Sequence, residues 1–242
     1  METCNILGTN IVVTNMEDIV YEIENNIDEL RGKYICVSNV HTTIMAYENA
    51  EYRKIQNDAA YALPDGKPLS VYSKMHGFSG AERVTGPDLM DKLFSRDNGL
   101  KHYFYGGREE TLMKLKQRLP QSYKKIKIVG MCSPPFRKLT SEEDEESIKK
   151  MRDSGADIIW IGLGAPKQEF YMSEHRGKVD AVMIGVGAGF DYHAGAIKRA
   201  PTWMQRLSLE WLYRLIQDPK RLFKRYLVTN IKFLWLTRGL RR

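Results

Sequence analysis

The chain is expected to fold as an α/β domain, a Rossmann-like, mainly parallel sheet with helices on both faces, followed by a basic helical C-terminal appendage. Three observations lead there. Short apolar runs alternate with helical stretches through most of the chain. The runs are almost continuously apolar, as strands covered on both faces must be. The balance of charge changes sharply near residue 196.

The strand candidates are 34–38, 102–105, 126–129, 157–161 and 181–184, each rich in Ile, Val, Tyr or Trp. The helix candidates between them are 16–30, 42–62, 87–96, 109–119, 141–153 and 167–175. Thr140 and Glu143 form a capping-box pair for the fifth of these, so the acidic run at 142–146 reads as a solvated helix N-terminus, not a metal site. In such sheets ligands bind beyond the carboxyl ends of the strands.

An apolar fraction of 43% supports a real core. The N-terminal stretch has neither a basic region nor a long apolar one, so no signal peptide is expected, and no run reaches the ~20 apolar residues of a spanning helix. Three scattered cysteines, Cys4, Cys36 and Cys132, fit a reducing compartment and make neither a disulfide framework nor a zinc site.

The segment 196–242 holds twelve Lys/Arg against two acids, Glu210 and Asp218, while the other 195 residues hold 25 basic and 28 acidic side chains. The net +7 thus divides into +10 for this tail and −3 for the body. Trp203, Trp211, Phe223, Tyr226, Phe233 and Trp235 interleave with those charges. Cations mixed with large aromatics suit an anionic surface with an apolar layer beneath it, that is, a phospholipid leaflet. The expected domains are therefore a catalytic body, 1–195, and a membrane-associating appendage, 196–242. Pro219 breaks the appendage into at least two helices. The helical stripe of Trp203, Leu207, Trp211 and Leu215 suggests that the first docks on the body, with 220–242 meeting lipid. A nucleic-acid partner is not expected, because the body is slightly acidic and 226–236 is more apolar than a phosphate-tracking surface needs. A silent membrane scaffold is the other competing class.

The strand ends carry most of the functional signal. Strand 34–38 runs into Asn39-Val-His-Thr42, strand 102–105 into Gly106-Gly107, strand 157–161 into Gly162-Leu-Gly-Ala-Pro-Lys-Gln-Glu169, and strand 181–184 into Gly185-Val-Gly-Ala-Gly-Phe-Asp191. Glycines there let a backbone approach a phosphate or sugar closely. The run at 185–189 is a weak dinucleotide signal, since it ends the sheet and no clear helix opens on it. Gly106-Gly107-Arg108 lacks the Lys-Ser/Thr of a P-loop. Pro64-Asp-Gly66 alone reads as a turn, and Glu82-Arg-Val-Thr-Gly86 as an anion clamp or a cap.

Taken in order and spacing, these six motifs resemble the WecG/TagA/CpsF glycosyltransferase family, over almost the whole chain from about residue 6 through the basic tail. The nearest likeness is to the branch that builds wall teichoic acid. That resemblance implies transfer of N-acetylmannosamine from UDP-N-acetylmannosamine to the 4-hydroxyl of undecaprenyl-diphosphate-linked N-acetylglucosamine, with inversion. A related transferase using UDP-N-acetylmannosaminuronic acid or UDP-glucose is the alternative. The resemblance also implies a cytoplasmic enzyme held peripherally on the inner face of the plasma membrane, and it leaves room for a homo-oligomer.

On the same resemblance Asp65 is the candidate base, with Asn39 and Thr42 positioning sugar hydroxyls, Gln168 across the cleft, and Arg83 on a phosphate or sugar. Gly106, Gly107, Gly162, Gly164, Lys167 and Gly187 are candidate substrate-binding positions. Asp191 is a candidate acceptor from uracil or ribose, and Phe136 or Tyr192 offers a ring to the base. No Asp-x-Asp pair or other spaced ligand cluster is present, so neither a metal nor another cofactor is expected, and the leaving diphosphate must meet Arg, Lys and backbone N–H groups. Arg214, Arg221 and Arg225 recur at spacings of seven and four and are expected to share a helix face, the tail closing over the site where lipid is present.

Overall fold

Five strands of the central sheet arise from the apolar runs read in the sequence: β3 (Tyr34–Ser38), β5 (Lys101–Gly106), β6 (Lys127–Cys132), β7 (Ile158–Gly162) and β8 (Val182–Gly185). In this computed structural model, residues 1–201, 203–204 and 209–238 are described, without the side chains of Arg221, Lys224 and Arg225. A sixth strand, β4 (Tyr61–Pro64), completes an all-parallel sheet of order β4-β3-β8-β7-β5-β6. Successive residues of a strand face opposite ways, and the two cores divide accordingly. Ile35, Val37, Phe104, Ile158, Trp160, Val182 and Ile184 pack on one face with Ile19, Leu93, Phe94 and Phe190. Tyr34, Cys36, Tyr103, Tyr105, Ile159, Ile161 and Met183 pack on the other with Ile55, Ile148, Met151 and Met172.

The first face is covered by α1 (Met16–Asn25), α6 (Gly86–Ser95), α7 (Glu109–Ser122) and the short α10 (Gly189–His193). The second is covered by α4 (Ala50–Asp58), α8 (Ser141–Asp153) and α9 (Lys167–Glu174). Helix α8 has the expected bounds, and its capping box forms between Thr140 and Glu143.

Two expected helices are corrected. The stretch 16–30 is interrupted at Asn26, which ends α1 before α2 (Ile27–Leu30). The stretch 42–62 becomes α3 (Val40–Glu48), α4 and then β4, because Asn49 ends α3 and caps α4 by accepting a hydrogen bond from the Tyr52 N–H. Pro64-Asp65-Gly66 therefore follows a buried strand, not a helix. The sequence reading also lacked α5 (Lys67–Met75), α10 and a β-hairpin of β1 (Thr3–Ile6) and β2 (Thr9–Val12).

The hairpin, α3 and α5 enclose a third core of Ile6, Ile11, Val40, Ile44, Leu69 and Tyr72. Phe233 from the tail completes it, its ring 6.4 Å from that of Tyr72. The tail forms α11 (Glu210–Gln217) and α12 (Pro219–Arg238), separated at Asp218-Pro219. Arg214 therefore lies on a different helix from Arg221 and Arg225, whose side chains lie outside the described residues, so the three do not share one helix. Both tail helices meet the body, where only the first was expected to. Helix α11 buries no residue fully, whereas α12 inserts Leu222, Thr229, Phe233 and Thr237 and pairs Lys232 with Glu48. Leu207 lies outside the described residues.

Helix α12 has a second apolar face. Phe223, Leu227, Val228, Ile231, Leu234 and Trp235 are all exposed, Trp235 at 70%. Among the described residues, no helix is long and apolar enough to cross a membrane.

Candidate active site

The carboxyl ends of β3 and β4 build the first half of the site. The Asp65 N–H donates to the Ser38 carbonyl at 2.7 Å, continuing the parallel register and fixing the turn. Gly66 then takes φ of 101°, a conformation costly for any residue with a Cβ, and α5 begins. The next segment is pinned to the same strand, as the Val84 N–H donates to the Pro64 carbonyl at 2.8 Å. These two bonds bring Asp65 and Arg83 together from positions eighteen residues apart.

Asp65 is half-buried, and burial pushes its carboxyl up to about 6, although Arg83 and Arg214 pull it down; Glu210 and Asp88 add to the rise. A carboxyl titrating there is ionised at neutral pH, yet far more basic than an ordinary aspartate.

An ion network closes over it from the tail. Arg83 pairs with Glu210 at 3.2 Å and with Asp88 at 3.7 Å. Asp88 also pairs with Arg199, and Arg199 approaches Glu210 at 4.0 Å. Burial opposes the ionised form of Asp88, but Arg199 and the Thr85 hydroxyl outweigh it and hold the carboxyl below its ordinary value. Arg214 sits over the Tyr192 ring, 5.6 Å from its centroid, within electrostatic reach of Asp65. Thus α11 supplies one cation to the Asp65 group and occupies the Tyr192 face expected to receive a base. Burial raises the Tyr192 hydroxyl to about 12, and its oxygen is buried without a hydrogen-bond partner among the described residues.

Other expected residues also hold local structure. Asn39 caps α3 by accepting from the His41 and Thr42 N–H groups, and the Thr42 hydroxyl accepts from the Asn39 N–H and donates to the Asn39 carbonyl. Both lie at the end of β3, beside the Asp65 turn. Gln168 is buried; its Oε1 accepts from the Gly187 N–H at 3.0 Å and its Nε2 donates to Glu169 at 2.8 Å. Its carboxamide braces the loop between β8 and α10.

The second half of the site lies beyond β5, β6 and β7. There a pocket of about 540 Å³ is lined by Gly107, Phe136, Lys138, Gly162, Lys167 and Tyr171, among others. Phe136 is 82% exposed at its rim. Gly106 has φ of 113°, and a Cβ there would fall 2.7 Å from the Gly162 backbone, so the two strand ends approach as only glycine permits. A Cβ on Gly162 would in turn meet the Phe190 ring at 2.7 Å. Gly164 and Gly187 also have positive φ, and the Gly164 carbonyl accepts the Gln168 N–H. Asp191 lies in α10, where its Oδ1 accepts from the Thr111 hydroxyl at 3.4 Å. Asp65, Arg83 and Gln168 are not among the pocket-lining residues. The site is therefore bipartite, its halves joined through α10, which carries Phe190 behind Gly107 and Gly162 and Tyr192 beneath Arg214.

Sequence reasoning missed Asp88, Arg199 and Glu210. Glu210 did carry a signal, as one of two acids in a strongly basic segment. Among the described residues, no group of three or more His, Cys, Asp or Glu is placed to hold a metal ion.

A sequence profile described as "Glycosyl transferase WecG/TagA/CpsF family" matches residues 4–242. The chain belongs to this family. It is a glycosyltransferase, and its relatives align along nearly its full length. One, from Bacillus spizizenii, is 30% identical over 225 residues, covering 91% of this chain and 86% of the relative. Another, from Bacillus subtilis strain 168, is 29% identical over the same length and shares of coverage. Both are named N-acetylglucosaminyldiphosphoundecaprenol N-acetyl-beta-D-mannosaminyltransferase.

Proposed function

We propose that the protein transfers N-acetylmannosamine from UDP-N-acetylmannosamine to the 4-hydroxyl of undecaprenyl-diphosphate-linked N-acetylglucosamine, with inversion and without a metal, at the inner face of the plasma membrane. This is the linkage-unit step of wall teichoic acid synthesis. The observation that carries the reading is the Asp65 carboxyl, raised to about 6 and faced by Arg83 and Arg214 at the carboxyl ends of the sheet. The names of the two Bacillus relatives support the choice of sugar and acceptor.

In this reading Asp65 takes the proton of the acceptor 4-hydroxyl as that oxygen attacks the anomeric carbon. The bond from that carbon to the diphosphate breaks on the opposite face, and UDP leaves carrying the negative charge. Lys138 and Lys167 at the pocket and Arg214 beside Asp65 supply cations to it. Phe136 at the pocket rim offers its ring to uracil, and Asp191 a carboxylate to the nucleoside. Asn39 and Thr42 then serve by holding the start of α3 against the Asp65 turn, and Gln168 by bracing the Gly187 loop.

The domain division at 195/196 belongs to the same proposal. Helix α11 completes the site and α12 faces lipid, its exposed Phe223, Leu227, Ile231, Leu234 and Trp235 entering the leaflet while the tail cations meet anionic headgroups.

The test is UDP release from UDP-N-acetylmannosamine, with and without a lipid-diphosphate-N-acetylglucosamine analogue, in EDTA. Acceptor-dependent release that persists in EDTA is expected. Turnover only with another UDP-sugar would change the donor, and loss of turnover in EDTA would end the metal-free reading.

A further inference from the structure

Beneath the Asp65 turn a line of polar side chains crosses the apolar core under the sheet's carboxyl end. Ser38, Tyr52, Gln56, Gln168 and Glu169 are each at most 3% exposed. The Ser38 hydroxyl donates to Gln56 Oε1 at 2.5 Å, and Gln56 Nε2 donates to the Tyr52 hydroxyl at 3.0 Å. That hydroxyl in turn interacts with the Glu169 carboxyl. Gln168 Nε2 donates to Glu169 Oε1 at 2.8 Å, and Gln168 Oε1 accepts from the Gly187 N–H at 3.0 Å. The line starts at the residue whose carbonyl holds the Asp65 N–H and ends two residues before α10, which carries Asp191 and Tyr192.

Such a line is a costly way to fill a core, because apolar side chains of the same volume avoid the desolvation of five polar groups. Glu169 is the clearest case. It is fully buried, and among the described residues its Oε2 has no hydrogen-bond partner and no salt bridge involves it. What it does hold is the Gln168 carboxamide, which has no slack: a Cβ on Gly185 would lie 3.0 Å from Gln168 Nε2 and 2.8 Å from Met172 Cε.

We propose that Glu169 is a positioning residue for sugar transfer: by anchoring the Gln168 carboxamide it fixes the 185–189 loop, and with it α10, relative to the Asp65 turn. This rests on the reading that transfer occurs at Asp65. Burial raises the Glu169 carboxyl above its ordinary value, and its Oε1 is the atom that accepts from the Gln168 carboxamide. Glutamine offers the same acceptor in the same place, whereas methionine fills the volume and offers none.

The experiment uses the full chain and reads two quantities for each variant, hydrogen exchange of the Gly187 amide by NMR and acceptor-dependent UDP release. In Glu169→Met the Gly187 amide is expected to exchange at least about tenfold faster, with turnover at least about tenfold lower and Tm within about 3 °C of the parent. Glu169→Gln is expected to keep both within about threefold of the parent, a rescue that a loss of packing would not produce. Tyr52→Phe, which removes one hydroxyl from the line, shifts both in the same direction by about two- to fivefold and serves if the methionine variant does not fold. Gly187 exchange unchanged in the variants would overturn the proposal, as would a loosened Gly187 with parental turnover, or a glutamine variant as impaired as methionine. If the parent itself transfers no sugar, the proposed function fails; a Gly187 amide that still loosens in Glu169→Met would then leave the anchor standing and remove its role in transfer.

Discussion

Asp65→Asn is expected to lower turnover by about 10³-fold, in the middle of the range for losing a general base, while leaving the protein at least as stable as the parent at pH 7.5 or so. The two effects have one cause. Burial raises the Asp65 carboxyl to about 6 against an ordinary value of 3.8. The folded state therefore favours the protonated form, and that contribution is present at low pH and lost as pH rises through about 6. Above that pH the native protein holds an ionised carboxylate in a poorly solvated place. Asparagine is close in shape and never ionises, so thermal unfolding above pH 6 or so should occur at an unchanged or higher temperature. Below about pH 4 both forms are neutral and the difference should vanish. A variant that loses activity together with several degrees of Tm would assign Asp65 to structure instead.

The second large effect concerns α12. Leu227→Glu, Leu234→Glu and Trp235→Glu together are expected to weaken binding to anionic vesicles by at least about 100-fold. Burying one large apolar side chain contributes about 1.5–3 kcal/mol, and three carboxylates add repulsion from anionic headgroups. All three side chains are exposed in the folded protein, so Tm should stay within about 2 °C of the parent. Turnover on a short, water-soluble acceptor should be retained, because α12 docks through Leu222, Thr229, Phe233 and Thr237 on its other side. Vesicle binding that survives the triple change would place lipid contact elsewhere in the tail.

The parallel sheet was legible because its strands, buried on both faces, are nearly continuous apolar runs, and no helical period competes with them at β3, β7 or β8. Helix α8 was legible to the residue because its capping box is written in Thr140 and Glu143. Strand β4 was not, for a physical reason. Its four residues follow α4 after only Ala59 and Ala60, and the division at Asn49 depends on one side chain turning to cap the next helix. Once β4 was absorbed into a helix, the hairpin resting on it had no visible partner. The tail failed differently. Its aromatic stripe was plain, but an apolar stripe does not say what covers it, and α12 has one packed on the body and one exposed.

At the site, Asp65, Arg83 and Gln168 were reachable through the family motifs, yet their environment was not. The elevation of Asp65 comes from burial, with Glu210 adding to it and Arg214 opposing it, both brought from almost 150 residues away by the fold. The motifs did not show that Asn39 and Thr42 also form the capping box of α3.

The central claim is that the tail completes the Asp65 site, and the most direct measurement is the pH dependence of kcat/KM for acceptor-dependent transfer in the parent and in Arg214→Gln. The parent should lose activity on the acid side with a midpoint near 6, where Asp65 becomes protonated. Because Arg214 lowers the Asp65 pKa, its removal should move that midpoint upward. An acid limb that stays in place would contradict the account, since α11 would then lie over the site without acting on its base.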